Sequence, residues 1–182
     1  MHRIKIILTL SILLLSVSGV RAQKGGETMN FTLSTSAFRE GETIPAQYTC
    51  DSSDFSPPLK WDGIPAGTKS FAIIMDDPDA PVGTFTHWVI YDIPADTNTL
   101  PEGLLKDPDL SKGIKQGTTS FRRTGYGGPC PPPGRPHRYF FTIYALDIQT
   151  TGLVSKASKQ DVENKIKGHI IGKAIVMGKY GR

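Results

Sequence analysis

Proline and glycine punctuate this chain at intervals of about 8 to 15 residues, and that spacing constrains the fold more than any other feature. Neither residue is at home inside a long helix, so most segments between them have room only for strands and turns. Residues 71–75, 87–93 and 139–146 are rich in aromatic and β-branched side chains, which suit a pleated surface. Residues 29–36 alternate through Phe31 and Leu33, as a strand with one buried face does, and 174–177 form a last short apolar run. Several of these runs are continuous rather than alternating, which points to strands covered on both faces. One segment reads as a helix: Ser158 is placed to cap it, Asp161 completes a shortened capping box, and Val162, Ile166 and Ile170 recur every fourth residue up to Gly172. The expectation is a mainly β, antiparallel domain with a C-terminal helix packed on its side. The polar span 101–123 reads as a long surface excursion.

The first residues read as an export signal rather than as part of the fold. A basic head (Arg3, Lys5) precedes an apolar run from Ile6 to Val17, and Val20-Arg21-Ala22 ends in the small residue a signal peptidase requires. The run falls short of the roughly 20 residues a spanning helix needs. This organisation assigns 1–22 to a signal peptide and 23–182 to one domain, periplasmic or secreted, with no transmembrane segment after cleavage. Residues 1–22 carry three of the 21 basic side chains and none of the 17 acidic ones, so the mature balance is 18 against 17. Such a balance lacks the concentrated basic face of a nucleic-acid binder, and the lysines of the C-terminal third read as a solvated face. Two cysteines, Cys50 and Cys130, remain; an even count in an exported chain favours a disulfide.

Two clusters carry the chemistry. In Asp76-Asp77-Pro78-Asp79-Ala80-Pro81, two prolines fix φ and remove two amide donors, giving a stiff corner that cannot continue a ladder. Three carboxylates on such a corner repel one another unless donors or cations surround them. His87-Trp88-Val89 then opens the next strand. The second cluster is Gly125 to Gly134, where glycines allow a backbone to approach a ligand and successive amides can form an anion-holding concavity. It leads into His137-Arg138-Tyr139. His87 and His137 thus each begin a strand beside a rigid corner, whereas His169, near the end of the helix, reads as a packing or dipole residue.

These segments resemble the two signature regions of the phosphatidylethanolamine-binding protein family, and in particular its bacterial branch of Raf kinase inhibitor-like proteins. Tyr48-Thr49-Cys50-Asp51, Ser56-Pro57-Pro58-Leu59 with Trp61, and Tyr180-Gly181-Arg182 add to the similarity, which spans nearly the whole mature chain. The resemblance implies a Greek-key β-sandwich with a small pocket at one end of an antiparallel sheet. It implies binding of a small anion or a phospholipid head group there by Asp77, Asp79, Pro81, His87, Gly128, His137 and Tyr139. Cys130 departs from the animal relatives, as does the end of the chain at Arg182, which implies a wider, more exposed site.

The resemblance makes the protein a non-enzymatic binder without cofactor or metal, acting as a monomer or homodimer. A protease or kinase is the protein partner that relatives suggest. The competing function is a hydrolase, metal-independent or metal-assisted, built on the same Asp and His side chains. For the anion reading, a Gly128-region amide and a protonated His87 or His137 would face the ligand, and Asp77 and Asp79 would orient the histidines. A carboxylate beside an imidazole favours the cation, so affinity should fall as pH rises.

Overall fold

The structure, a computed structural model, describes residues 30–182; the signal-peptide reading of 1–22 lies outside them. Among the described residues eight strands form in chain order: β1 (Thr32–Ser34), β2 (Leu59–Asp62), β3 (Ser70–Asp77), β4 (Phe85–Pro94), β5 (Thr99–Leu100), β6 (Lys115–Gln116), β7 (His137–Leu146) and β8 (Ile170–Tyr180). An α-helix, α1 (Lys159–Ile166), lies between β7 and β8. The strands make two antiparallel sheets, a small one ordered β1-β2-β5 and a large one ordered β6-β4-β3-β7-β8.

The middle of the large sheet is covered on both faces, which is why β3 and β4 read as unbroken apolar runs, whereas β7 and β8 each keep a partly exposed face. Successive side chains of a strand point to opposite sides. Phe71, Ile73 and Met75 of β3 therefore join Trp88, Ile90, Tyr139, Phe141 and Ile143 on one side, beneath Leu33, Leu59, Trp61 and Leu100 of the small sheet. Ala72, Val89, Tyr91 and Leu146 pack on the other side under Val162 and Ile166 of α1. The capping box forms as its residues suggest, with the Ser158 hydroxyl accepting from the Asp161 amide and the Asp161 carboxylate accepting from the Ser158 amide.

Four expectations are corrected. The helix ends at Ile166 instead of running to Gly172, because Gly168 turns the chain with φ +87° and Ile170 pairs with Leu146 as the start of β8. Tertiary pairing here overrides a helical period that the sequence carries through Ile170. The last strand is consequently eleven residues long rather than four. The 101–123 excursion is partly built into the fold: β6 pairs with β4, and the buried Gln116 amide accepts from Trp88 Nε1 at 2.7 Å while donating to the Leu105 and Asp107 carbonyls. His87 is the third residue of β4, not its first, and Asp76 and Asp77 are still ladder, opposite Thr86 and Phe85.

The outer edge of β8 is not left open. Gly41 N–H donates to the Met177 carbonyl, Ile44 N–H to the Lys179 carbonyl and Lys179 N–H to the Glu42 carbonyl, while the Glu40 carboxylate takes the Met177 N–H. Gly178 lets this segment approach: a Cβ there would stand 2.5 Å from the Ile44 side chain.

Cys50 and Cys130 are joined in a disulfide across a separation of 80 residues, with Cα atoms 5.4 Å apart. In the chain-entropy account, closing a loop of that length stabilises the fold by about 4 kcal/mol. Replacing both cysteines by serine should lower the guanidinium-unfolding free energy by about that amount and raise the m-value, because the unlinked unfolded chain exposes more surface. A loss below about 1 kcal/mol would show that the cross-link does not constrain the unfolded chain.

Candidate functional site

At the end of the large sheet where β3 stops, a cavity of about 160 Å³ opens between the 77–82 corner, β4, Phe121 and the Cys130-Pro131-Pro132 wall. That volume suits a phosphate-sized group and lies below the roughly 300–1,000 Å³ of pockets for drug-sized ligands. Asp77, His87 and His137 meet at its floor, and only 3 to 5% of each is exposed. The polar floor is thus buried.

Each floor residue is held by a specific partner. Asp77 closes β3, and its carboxylate oxygens accept from His137 Nδ1 (2.7 Å) and from the Asp79 amide (2.8 Å). The repulsion expected among the three carboxylates is relieved in this way: Asp76 turns to Lys159 Nζ (2.6 Å) and the Thr86 hydroxyl, and Asp79 turns to Arg138. His87 Nδ1 donates to the Gly127 carbonyl at 2.7 Å, with the Gly128 carbonyl at 3.2 Å. Phe85, Phe121 and Tyr139 pack around its ring, each centroid 5.2 Å away. Burial pushes the His87 imidazole below its usual value, partly opposed by the Gly127 carbonyl and the Asp77 charge. Burial thus disfavours the cation at His87, and the Asp77 carboxylate bonds His137.

Three of the expected residues stand apart from the cavity. Asp79 does not line it; its carboxylate takes a two-point fork from Arg138 Nε and Nη2 (2.8 Å each) and also the Arg138 amide, fastening the corner to β7. Gly128 offers no amide to a ligand, because its N–H donates to Asp54 Oδ1 at 2.6 Å. A side chain there would collide with the Tyr48 carbonyl at 2.4 Å, so close approach is what this glycine supplies. Tyr139 lies behind the floor against His87, with its hydroxyl buried and unpartnered. Desolvation, then the charge of Asp77, pushes that phenol far above its usual value, so it stays neutral. Pro81, Asp77, His87 and His137 do line the cavity.

Reading by residue type missed Phe85, Phe121, Val82 and Asp54. Phe121 lies in the span taken as a surface excursion, and an aromatic flanked by Ser120 and Arg122 was its only signal. Asp54 is a tether, accepting from the Gly128 amide, Lys106 and Arg123. Among the described residues, no three His, Cys, Asp or Glu side chains converge as metal ligands would.

With this geometry in view, comparison with known proteins gives a consistent result. Residues 34–181 match the family model described as phosphatidylethanolamine-binding protein. A UPF0098 protein of Aquifex aeolicus is 55% identical over 147 residues, covering 80% of this chain and 85% of the relative. Escherichia coli YbhB, also a UPF0098 protein, is 40% identical over 148 residues, 76% of this chain and 92% of that one. The crystal structure of Escherichia coli YbcL, described as a member of the mammalian family of the same name, superposes with a TM-score of 0.79 at 33% identity, covering 84% of this chain and 99% of that one.

The Arg138 fork holds the Asp79 carboxyl well below the usual carboxylate range. In the unfolded chain an Asp titrates near 3.9. The fork's contribution is therefore present above about pH 4 and is lost as pH falls toward the lower folded value. Asp79→Asn should be less stable than the parent at pH 6, with the gap shrinking between pH 5 and 2 in parallel denaturant titrations. A gap constant with pH would assign the effect to packing.

Proposed function

Since this chain belongs to the phosphatidylethanolamine-binding protein family, we propose that it is an exported protein that holds a small anionic, phosphate-bearing ligand in the Asp77–His87–His137 cavity and does not transform it. The observation that carries this reading is the buried Asp77–His137 pair at the floor of a 160 Å³ cavity. A carboxylate only accepts, so His137 Nδ1 carries the hydrogen and Nε2 is left without a protein partner among the described residues. When the ring carries a second proton, Asp77 balances it and Nε2 becomes a charge-assisted donor to an anion. The family description names phosphatidylethanolamine, whose head group also carries an anionic phosphate, as a diester.

Covalent hydrolysis is disfavoured because, among the described residues, no serine or threonine lines the cavity and its one sulfur, on Cys130, is held in the disulfide. Export is supported by the basic, apolar and small-residue segments of 1–22 and by a cross-link suited to an oxidising compartment. Mass spectrometry of protein from its own source should then find a chain beginning at Gln23.

Titration with inorganic phosphate, followed by NMR, should shift resonances of Asp77, His87 and His137 at millimolar or lower concentration. Asp77→Asn should weaken that binding at least tenfold while leaving the fold intact. An unchanged spectrum with excess phosphate overturns the anion reading. Release of phosphate from a phosphomonoester by the pure protein, abolished in the same variant, would make the protein a hydrolase.

A further inference from the structure

Resting on the anion reading above, we propose that this pocket selects an anion that still carries a proton: inorganic phosphate or a monoprotonated phosphomonoester, in preference to sulfate, a fully ionised phosphomonoester or a phosphodiester. The argument comes from the hydrogen-bond inventory of the two rings. His87 Nδ1 stands against two backbone carbonyls, at 2.7 and 3.2 Å, and carbonyls only accept. The ring hydrogen is thereby fixed on Nδ1, and in the neutral imidazole Nε2 presents a bare lone pair.

No protein group bonds either Nε2 among the described residues. Neither atom is among the sealed, unpartnered polar atoms, which are Trp61 Nε1 and the Tyr139 hydroxyl. Both rings line the cavity, so each open Nε2 is reached from it. The floor therefore offers one acceptor, on His87, beside one site that becomes a donor when His137 is charged. An unprotonated anion oxygen placed against the His87 lone pair would be repelled, whereas a P–OH would donate to it. This is the asymmetry by which buried polar groups reject a ligand that leaves them unpaired.

The groups around His87 keep it in the accepting form. Phe85 of β4, Phe121 and Tyr139 of β7 exclude water from three sides, and Gly127 and Gly128 supply only carbonyls. Asp76 and Asp77 of β3 act on it as charges, but Asp76 is spent on Lys159 and Asp77 on His137. Removal of the ring from water then outweighs the two carboxylates, and His87 stays neutral at pH 7. Around His137 stand Asp77 and its own neighbour Arg138, which is spent on Asp79; Arg182 reaches the Pro131 carbonyl in the cavity wall.

The test measures, by calorimetry on the pure protein, the affinities of inorganic phosphate, methyl phosphate, sulfate and dimethyl phosphate from pH 5.5 to 7.5. At pH 7 inorganic phosphate should bind at least tenfold more tightly than sulfate or dimethyl phosphate. Methyl phosphate loses its proton with a pKa near 6, while inorganic phosphate keeps at least one P–OH throughout. Relative to phosphate, methyl phosphate should therefore weaken about 20-fold over this range, and titration of a protein group that meets both ligands alike cancels in the ratio. His87→Asn retains a donor for the Gly127 carbonyl but lacks Nε2, and should bring the phosphate-to-sulfate ratio close to one. Nitrogen NMR of the unmodified protein at pH 7 gives an independent check: His87 should show a protonated Nδ1 and a bare Nε2.

Sulfate or dimethyl phosphate binding as tightly as phosphate, a constant methyl phosphate ratio, or a protonated His87 Nε2 each overturns this proposal and leaves the anion reading standing. Absence of binding by all four overturns both. Dimethyl phosphate also separates the sources of the ligand, since a phospholipid head group is a diester without the proton.

Discussion

β3 has no side on which it can be polar. It runs down the middle of the large sheet between β4 and β7, with the small sheet on one face and α1 on the other. Every residue from Ser70 to Met75 is buried, so the strand can tolerate charge only where cover ends, at Asp76 and Asp77. Burying an unpaired carboxylate costs several kcal/mol, and both aspartates are accordingly engaged, one by Lys159 and one by His137. The chemistry of the protein begins at the point where its apolar core runs out. The two prolines that follow end the ladder there and keep the corner from wandering back over the cavity.

The opposite wall is assembled from pieces distant in sequence. The 126–130 segment is tied to 48–54 by the Tyr126 hydroxyl on the Tyr48 carbonyl, the Gly128 amide on Asp54, the Cys50 amide on the Pro129 carbonyl and the disulfide. None of these groups touches the cavity floor, yet together they set where the Gly127 and Gly128 carbonyls stand. Those carbonyls in turn decide which nitrogen of His87 carries its hydrogen. A ring's tautomer is thus fixed by a wall held in place four tethers away.

Much of the architecture was legible because it depends on local rules. Continuous apolar runs announced strands covered twice, and Ser158 with Asp161 announced where the helix begins. The helix end was not legible: Ile170 fits the helical period equally well, and only pairing with Leu146 across the sheet places it in β8. The site shows the same division. Asp77, Pro81, His87 and His137 stood out through the motifs they share with a family, and all four line the cavity. Asp79, Gly128 and Tyr139 stood out equally and support it from behind. Residue type cannot separate the two roles, because what distinguishes Asp77 from Asp79 is a partner, His137 or Arg138, some sixty residues away. Phe121 was hidden for the opposite reason, as an ordinary aromatic in a polar stretch.

The strip at 40–44 along β8 bears on how the chain reaches this state. The Glu40 carboxylate and the Met177 amide that donates to it are 137 residues apart, so this strip, unlike β1 with its partner β2, finds its partner only near the far end of the described chain. Contacts so remote in sequence close a very long loop, and a fold rich in them is slow to form. β8 stands at one edge of the large sheet and its outer flank is covered by the 40–44 strip, so this edge joins two parts of the described chain that are far apart in sequence.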